Sequence, residues 1–232
     1  MRLGHPSKPR RLEGCALIMK TFDWFLEYGV SFASSTIGEG HRGGEGIASL
    51  PLASLWQKHS RVIIHAEEPG IYEGDGLITS KKGLHLGVVS ADCLPILLFD
   101  PLQRKIALIH AGWKGLHDNF PVLVLKEHFP ENRQNLMVGI GPHICRAHYE
   151  VENPAQQNIA AWRPFLKLSH RRGNFFVDLE GYLTQTLLEN GVKQTNIFST
   201  GLCTFEESGD QGFFSRRRGD EQNFITLASL IG

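Results

Sequence analysis

Two apolar runs separated by a turn constrain the fold of this 232-residue chain more than any other feature. The runs are Leu84–Phe99 and Ile106–Ile109. Asp100-Pro101 lies between them, and proline fixes φ and disfavours helix at the residue before it. Long apolar runs with valine and isoleucine are typical of strands covered on both faces. The sequence therefore predicts two buried strands that return past each other, with a helix following near Trp113.

This pairing of strands predicts a site where a thiol and imidazoles meet. The first run contains Asp92-Cys93 and the second leads into His110, so their return brings Cys93 and His110 close in space. His59, just before a strand predicted at Arg61–His65, is a third candidate. Two imidazoles and a thiolate with an open fourth position suit Zn²⁺, which lowers the pKa of a bound water or polarises a substrate atom.

The same residues leave other chemistry open. Cys93 could be the nucleophile of a cysteine hydrolase, with a histidine drawing away the thiol proton. A histidine and cysteine set could also hold copper. Asp75 and Asp92 are candidates for orienting ligands or for acid–base chemistry, although each also fits a simple turn carboxylate at a strand end. Spacing alone does not decide among these alternatives.

Several further residues are interpreted as structural rather than functional. Trp113 and Phe214 could stack on a base but suit packing better. Arg217 could bind an anion such as phosphate but suits a solvated charged segment better. Four histidines are interpreted as surface or core residues: His65, His85, His117 and His128.

Composition argues against several classes of protein. The 24 Lys and Arg residues balance 24 Asp and Glu residues, so net charge gives no argument for a nucleic-acid or membrane partner. No apolar run approaches the roughly 18 residues that span a bilayer. The four cysteines are widely spaced and form no CxxC pair. This spacing favours a reduced, cytoplasmic setting over a disulfide framework.

The length suits one α/β domain. Residues 1–20 are predicted to be a disordered N-terminal tail, or sequence upstream of a true start at Met19, and residues 21–232 to be the domain. Gly38–Gly46 is predicted to be a flexible, glycine-rich loop. Helices and further strands are predicted, in chain order, at Val122–His128, Leu136–Ile140, Pro154–Leu166, Leu179–Glu189 with Asp178 as N-cap, Ile197–Thr200, Phe213–Arg217 and Phe224–Leu230.

Successive motifs of the chain resemble those of one family. In order over residues 57–218 they are GDGLIT, SADCLPILLFDP, HAGWKGL, GIGPHI with HYEV, GLCT and FFSRRR. They are similar to the motifs of the laccase-domain, or polyphenol-oxidase-like, family, whose members are regarded as purine nucleoside phosphorylases. The resemblance implies a single α/β domain with a mixed β-sheet flanked by helices.

The resemblance also implies an activity and a site. The activity is phosphorolysis of adenosine, inosine and methylthioadenosine to the base and ribose 1-phosphate, with adenosine deamination attributed to the family as well. The implied catalytic and zinc-binding residues are His59, Cys93 and His110. The older copper polyphenol oxidase, or laccase, activity stays attached to the family name. In phosphorolysis phosphate attacks C1′ of the ribose and the leaving base takes up a proton, whereas deamination needs an activated water at C6.

The N-terminal part departs from the family pattern. Ser35-Thr36-Ile37 stands where a Thr-Arg pair is expected, so the arginine is missing. Pro51 replaces an asparagine, and only Ala53–Trp56 separates that segment from Gln57, so a helix is expected to be absent. Part of the substrate wall is therefore expected to be missing or rebuilt.

The leading hypothesis is a cytoplasmic, zinc-dependent purine nucleoside phosphorylase whose partners are a purine nucleoside and phosphate, with neither nucleic acid nor membrane. The alternative is a cysteine hydrolase or amidase acting on a cell-wall precursor, with Cys93 as nucleophile. A non-catalytic protein that keeps zinc for stability is a third hypothesis. A copper oxidase is the least favoured, because phenol oxidation needs several coppers and more histidine ligands.

Overall fold

The computed structural model describes residues 19–231. The tail predicted for residues 1–20 therefore falls largely outside the described residues. Lys20–Thr21 forms the first strand, antiparallel to the strand that contains Ala33 and Ser34. The assignment of residues 21–232 to a single domain stays a prediction.

The described residues form fifteen β-strands. In chain order they are β1 (Lys20–Thr21), β2 (Val30–Ser34), β3 (Leu52–Trp56), β4 (Ile63–His65), β5 (Gly70–Glu73), β6 (Gly76–Thr79), β7 (His85–Ser90), β8 (Leu94–Asp100), β9 (Lys105–Ala111), β10 (Met137–Ile140), β11 (Glu150–Glu152), β12 (Leu166–Leu168), β13 (Asn174–Val177), β14 (Ile197–Ser199) and β15 (Phe224–Leu230).

The described residues contain few α-helices compared with strands. The α-helices are α1 (Trp113–His117), α2 (Phe120–His128) and α3 (Leu179–Glu189). Short 3-10 segments occur at Asp23–Tyr28, Ile37–Glu39, His41–Ile47, Arg133–Asn135, Ala155–Asn158, Ala160–Phe165 and Gln194–Asn196. Within residues 19–231, no helix has the length and apolar character needed to cross a membrane.

The strands form two six-stranded sheets and one of three strands. The first sheet has the order β1-β2-β15-β7-β3-β5 and the second β14-β10-β8-β9-β6-β4. Each of the two combines parallel and antiparallel pairs, since β7 pairs antiparallel with β15 but parallel with β3, and β6 antiparallel with β9 but parallel with β4. The predicted α/β class with a mixed sheet is confirmed, and it comprises two large sheets with few helices.

Strand β8 is buried between two cores, which explains its continuous apolar sequence. Leu97 and Phe99 pack with residues of the first sheet such as Phe32 and Leu86. Ile96 and Leu98 point the other way, into a second core shared with helices α2 and α3. Because successive side chains of a strand face opposite sides, a strand covered on both faces needs apolar residues at every position.

Several predicted elements differ from those observed. The run Leu84–Phe99 is not one strand: it divides into β7 and β8, which lie in different sheets. Asp92 between them has φ of 96°, a left-handed conformation that interrupts strand geometry. Pro154–Leu166 is not an α-helix but two 3-10 segments, with Pro164 inside the second. Proline cannot donate the backbone hydrogen bond that a regular helix needs.

Two further segments differ from the predictions. Phe213–Arg217 is not a strand: residues 213–215 are irregular and Arg216 and Arg217 are in a turn. Phe213 and Phe214 pack with Phe224 in a small third core. Gly38–Gly46 is not an irregular loop throughout, because it contains 3-10 turns interrupted by a kink at residues 42–44. Its backbone bonds the C-terminal part of the chain, with Gly38 N donating to Asp210 O at 2.9 Å and Arg42 N to Asn223 O at 2.8 Å. The hairpin of β8 and β9 and the helix Leu179–Glu189, capped by Asp178, are confirmed.

Candidate metal centre

The β8–β9 hairpin brings Cys93 and His110 together at its open end. Leu94 pairs with Ala111 and Pro95 with His110, so Cys93 and Gly112 face each other one step beyond the last pair. A Cβ atom at Gly112 would lie 2.7 Å from Cys93 Sγ, closer than real contacts allow. Only glycine lets the two segments approach this closely.

His59 completes a group of three side chains. It lies in the connection between β3 and β4, where its φ of 54° is left-handed. Its Nε2 atom is 4.0 Å from Cys93 Sγ, and its ring centroid is 5.0 Å from that of His110. The ligand atoms of all three residues lie within 4.8 Å of one another. Three such donors around one point could hold a metal ion and leave a fourth position free.

One buried carboxylate supports both histidines. Asp75 is fully buried, and its Oδ1 atom accepts hydrogen bonds from His110 Nδ1 at 3.0 Å and from the His59 backbone amide at 3.1 Å. Its Oδ2 atom accepts from the backbone amide and the hydroxyl of Ser60 at 2.6 and 2.7 Å. Because Nδ1 of His110 donates to Asp75, Nε2 is the nitrogen left to bind a metal.

The group is electrostatically polarised. Burial of Asp75 opposes ionisation, but hydrogen bonds from His110 and Ser60 hold the pKa of its carboxyl well below the usual range. Burial also opposes ionisation of the Cys93 thiol, but the charge and hydrogen bonds of His110 and His59 lower its pKa to about 6. Burial lowers the pKa of His110, whereas Cys93 and Asp75 raise it, to about 9 on balance. The mutual effect of Cys93 and His110 therefore favours a thiolate beside an imidazolium.

The three residues open into a cleft of about 620 Å³. Its walls come from both large sheets, from the segment that contains Arg42 and from residues 216–223. They are lined by Arg42, Leu55, Trp56, Gln57, His59, Ile71, Val89, Ser90, Ala91, Cys93, His110, Arg216 and Asn223. This volume falls in the range of small-molecule sites.

Two arginines that line the cleft were not among the site residues predicted from the sequence. Arg42 comes from the glycine-rich segment, where its backbone amide donates to Asn223 O at 2.8 Å, and Asn223 N donates to His41 Nδ1 at 3.2 Å. Arg216 donates to Asp220 O at 2.6 Å and to Asn223 Oδ1 at 3.2 Å. Although no arginine follows Thr36, the fold thus brings a nearby arginine to the cleft.

The other carboxylate candidate has a structural role. Asp92 Oδ1 accepts from Thr204 Oγ1 at 2.6 Å and Oδ2 accepts from Arg217 N at 2.8 Å. Its backbone oxygen accepts from Ile144 N at 3.0 Å. These bonds hold the left-handed residue next to Cys93 and tie it to three distant segments.

The remaining candidates lie outside the cleft lining. Arg217 stacks over the Tyr149 ring at 5.3 Å and Phe214 is a core residue, while Trp113 is 43% exposed beside a smaller cavity of about 300 Å³ that Tyr149 also lines. His65 and His128 contact each other, with ring centroids 5.1 Å apart. His85 and His117 also lie outside the lining of the cleft.

Comparison with known proteins agrees with this fold and site. Solved structures titled Bacillus licheniformis hypothetical protein YfiH and Neisseria meningitidis protein NMB0706 superpose with TM-scores of 0.77 and 0.78. They are 21% and 24% identical, and the superpositions cover 95% and 92% of this chain and 98% and 99% of those chains. At this identity the likeness shows the fold.

The chain is thus a mixed α/β protein with a His/Cys/His group beside the start of β8 and the end of β9. Residues 44–232 match the family model described as multi-copper polyphenol oxidoreductase laccase. The chain belongs to this laccase-domain family.

Curated relatives carry a different name from the family model. A Deinococcus radiodurans protein named purine nucleoside phosphorylase is 35% identical over 176 residues, which is 75% of this chain and 67% of that protein. A Clostridium acetobutylicum protein of the same name is 37% identical over 168 residues, covering 71% and 70%. A Rickettsia prowazekii protein of that name is 34% identical, and the match covers 60% of each chain.

Proposed function

We propose that this protein is a purine nucleoside phosphorylase that uses a zinc centre made by His59, Cys93 and His110. The supporting observation is that one cleft contains this group together with Arg42 and Arg216. The cleft therefore has the volume for a nucleoside and positive charge for an anion. The names of the relatives support the same activity.

Phosphorolysis requires a site for an anion next to a site for a nucleoside. The guanidinium group is permanently charged and matches phosphate oxygens with paired donors. Arg216 is already oriented by Asn223 and Asp220, so it loses less freedom on binding than an unrestrained side chain. The phosphate held there attacks C1′ as the bond from C1′ to the purine nitrogen breaks, and the leaving base takes up the proton that the phosphate loses on becoming ribose 1-phosphate.

The donor set favours zinc over copper. Imidazole and thiolate are both zinc ligands, and three protein ligands with an open fourth position are the pattern of catalytic zinc sites. A single copper bound by the same three donors typically has a weak axial methionine or glutamine. Among the described residues no methionine lines the cleft, and Gln57 is already paired with Val89, whose N donates to Gln57 Oε1 at 2.7 Å and whose O accepts from Gln57 Nε2 at 2.9 Å. Zinc bound here would supply a Lewis acid that polarises an oxygen or nitrogen of the substrate. Asp75 orients His110 toward this position and fixes the backbone of His59.

A second candidate function has its own support. Cys93, His110 and Asp75 stand in the order of a nucleophile, a base and an orienting carboxylate. A cysteine hydrolase or amidase would use the lowered pKa of Cys93 directly, without a metal. The two proposals predict opposite responses to metal removal.

The test combines product analysis with chelation. Adenosine is incubated with purified protein, with and without phosphate, and adenine and inosine are separated by chromatography. Adenine that forms only with phosphate, disappears after chelation and returns with zinc supports the proposal. Absence of both products, together with hydrolysis of an amide substrate that survives chelation and is lost on alkylation of Cys93, supports the hydrolase instead. Inosine formed without phosphate identifies adenosine deamination as a second activity.

Variants locate the activity. His59→Ala is expected to abolish adenine formation, whereas His170→Ala, which removes another exposed histidine outside the cleft, leaves it unchanged. Equal losses in the two variants would contradict the assignment of His59.

A further inference from the structure

A second group of metal-binding side chains lies apart from the cleft. It consists of Cys145, His148, Cys203 and Glu206, whose ligand atoms all lie within 4.8 Å of one another. None of the four lines the cleft of His59, Cys93 and His110. Two thiols, an imidazole and a carboxylate offer one ligand each.

Two matching turns build the group. His148 N and Tyr149 N both donate to Cys145 O at 3.1 Å. These bonds close a turn in which the side chains of Cys145 and His148 lie within one ligand group. In the other segment Glu207 N donates to Cys203 O at 2.8 Å, and Glu206 stands three residues after Cys203 in the same way. Each turn therefore supplies two donors with a spacing of three residues.

Backbone pairing holds the two turns together. His143 forms an isolated parallel bridge with Cys203, and Thr204 N donates to His143 O at 3.0 Å. Cys145 N donates to Cys203 Sγ at 3.3 Å, so one sulfur already has an amide partner. His148 stacks on Phe205 with ring centroids 4.5 Å apart, which fixes the imidazole plane. Contacts with His143 and Phe205, outside the group, thus help to position its metal-binding side chains.

Four distances within the group lie close to the edge lengths of a tetrahedral metal site. His148 Nδ1 lies 3.3 Å from Cys145 Sγ, 3.7 Å from Cys203 Sγ and 3.2 Å from a Glu206 carboxylate oxygen. Cys145 Sγ lies 3.9 Å from the same oxygen. Metal–ligand bonds of about 2.3 Å to sulfur and about 2.0–2.2 Å to nitrogen and oxygen place neighbouring ligand atoms roughly 3.3–3.8 Å apart at tetrahedral angles.

We propose that Cys145, His148, Cys203 and Glu206 bind a second metal ion, a thiophilic divalent cation of which Zn²⁺ is the type. All four positions of the ion are filled by protein, so the site is structural rather than catalytic. It joins the segments 143–149 and 201–207.

The second ion would also support the cleft from a distance. Ile144, next to Cys145, donates to the backbone oxygen of Asp92, and Thr204, next to Cys203, donates to its carboxylate. Asp92 directly precedes Cys93. The metal therefore stabilises the two segments that hold the residue beside the candidate nucleophile or ligand.

The test measures metal binding in a variant that lacks the first site. Cys93→Ser protein is purified under reducing conditions, stripped of metal and titrated with Zn²⁺ against a chromophoric chelator. One equivalent is expected to bind, compared with two in the unmodified chain. His170→Ala, which removes an exposed histidine that belongs to neither group, serves as the control and keeps two equivalents.

Variants of the second group complete the test. His148→Ala in the Cys93→Ser background is expected to weaken zinc binding by about 100-fold or more, since changes that merely affect ligand orientation cost about 10–100-fold. Glu206→Ala gives a milder replacement should the first variant fail to fold. Circular dichroism checks folding in each case.

Cobalt gives a second readout that does not depend on enzyme activity. Co²⁺ bound to Cys93→Ser protein is expected to show thiolate-to-cobalt charge-transfer absorption, lost in the additional Cys145→Ser/Cys203→Ser variant. The proposal is overturned if Cys93→Ser binds no Zn²⁺, or if its binding is unchanged by that double substitution. It is also overturned if the reduced cysteines reoxidise to a disulfide in the presence of stoichiometric Zn²⁺. These results are independent of whether the protein cleaves nucleosides.

Discussion

Asp75 Oδ1 lies 3.0 Å from Nδ1 of His110, and the same oxygen accepts the backbone amide of His59 at 3.1 Å. One carboxylate oxygen therefore sets both the tautomer of one histidine and the loop position of the other. The two histidines come from different elements, the strand β9 and the β3–β4 connection, and Asp75 immediately precedes β6. The candidate centre depends on this carboxylate as much as on its three ligand residues.

Replacing Asp75 is expected to damage the centre and the fold together. Asp75→Asn removes the negative charge that strengthens the hydrogen bonds accepted by this side chain. It also places an NH₂ group against the N–H and O–H groups that now donate to the carboxylate. We expect zinc affinity to fall by about 10–100-fold and the free energy of unfolding to fall by about 2–4 kcal/mol. Asp210→Asn, at an exposed position, is the control and should change neither. Zinc titration and urea unfolding measure the two effects, and wild-type zinc affinity in Asp75→Asn would contradict the role of Asp75.

The close approach at the hairpin end predicts a glycine-specific effect. Gly112→Ala would place a methyl group 2.7 Å from Cys93 Sγ. The sulfur or the backbone must shift, at a cost of about 1–3 kcal/mol, and zinc affinity should fall. Gly115→Ala is the matched control, because its Cβ would meet Ala111 Cβ at an ordinary 3.5 Å and alanine favours helix α1. If both variants bind zinc like the parent chain, the packing at Gly112 does not govern the site.

The polarised thiol predicts a pH profile for alkylation of metal-free protein. A lowered pKa means that the thiolate persists to lower pH, so Cys93 should react with iodoacetamide above a midpoint of about 6. His110→Ala removes the imidazolium and should move the midpoint toward the ordinary cysteine value of about 8.5. The midpoint is the informative quantity, because intrinsic nucleophilicity falls as the thiol pKa falls.

Mass spectrometry of the alkylated cysteines provides an internal comparison. Burial and the neighbouring Cys203 raise the pKa of Cys145 to about 11, so Cys145 should stay unmodified near neutral pH. Equal labelling of Cys93 and Cys145 at pH 7 would contradict the electrostatic description of the centre.

The arginines of the cleft should act on phosphate rather than on the nucleoside. Arg216→Ala and Arg42→Ala are each expected to raise KM for phosphate about 10–100-fold, the value of one charge-assisted hydrogen bond of about 1.5–3 kcal/mol. KM for adenosine should change little. Arg172→Ala, at an exposed position outside the cleft, serves as control. A rise confined to KM for adenosine would show that the arginines face the nucleoside instead.

The elements that could be predicted from the sequence are those encoded locally. Helix α3 begins after a capping aspartate and ends near a glycine, and the β8–β9 hairpin is marked by its apolar runs and by Asp100-Pro101. His59, Cys93 and His110 lie together as the motifs indicated. Their separation in sequence is bridged by the hairpin and by Asp75.

What could not be predicted depends on contacts between distant segments. The break at Asp92 is fixed by Thr204 and Arg217, 112 and 125 residues away. Arg42 reaches the cleft because its segment binds Asn223, and the amide of Asn223 bonds His41, 182 residues earlier. The second group was hidden because its two pairs stand far apart, with Cys145 and Cys203 separated by 58 residues.

The most direct test of the account is ³¹P nuclear magnetic resonance of zinc-loaded protein with adenosine and inorganic phosphate, with Cys93→Ala protein in parallel. We predict that the unmodified chain converts phosphate into ribose 1-phosphate in a one-to-one ratio with released adenine, and that Cys93→Ala forms neither. Absence of ribose 1-phosphate with the zinc-loaded unmodified chain, or equal formation by Cys93→Ala, would contradict a phosphorylase centred on His59, Cys93 and His110.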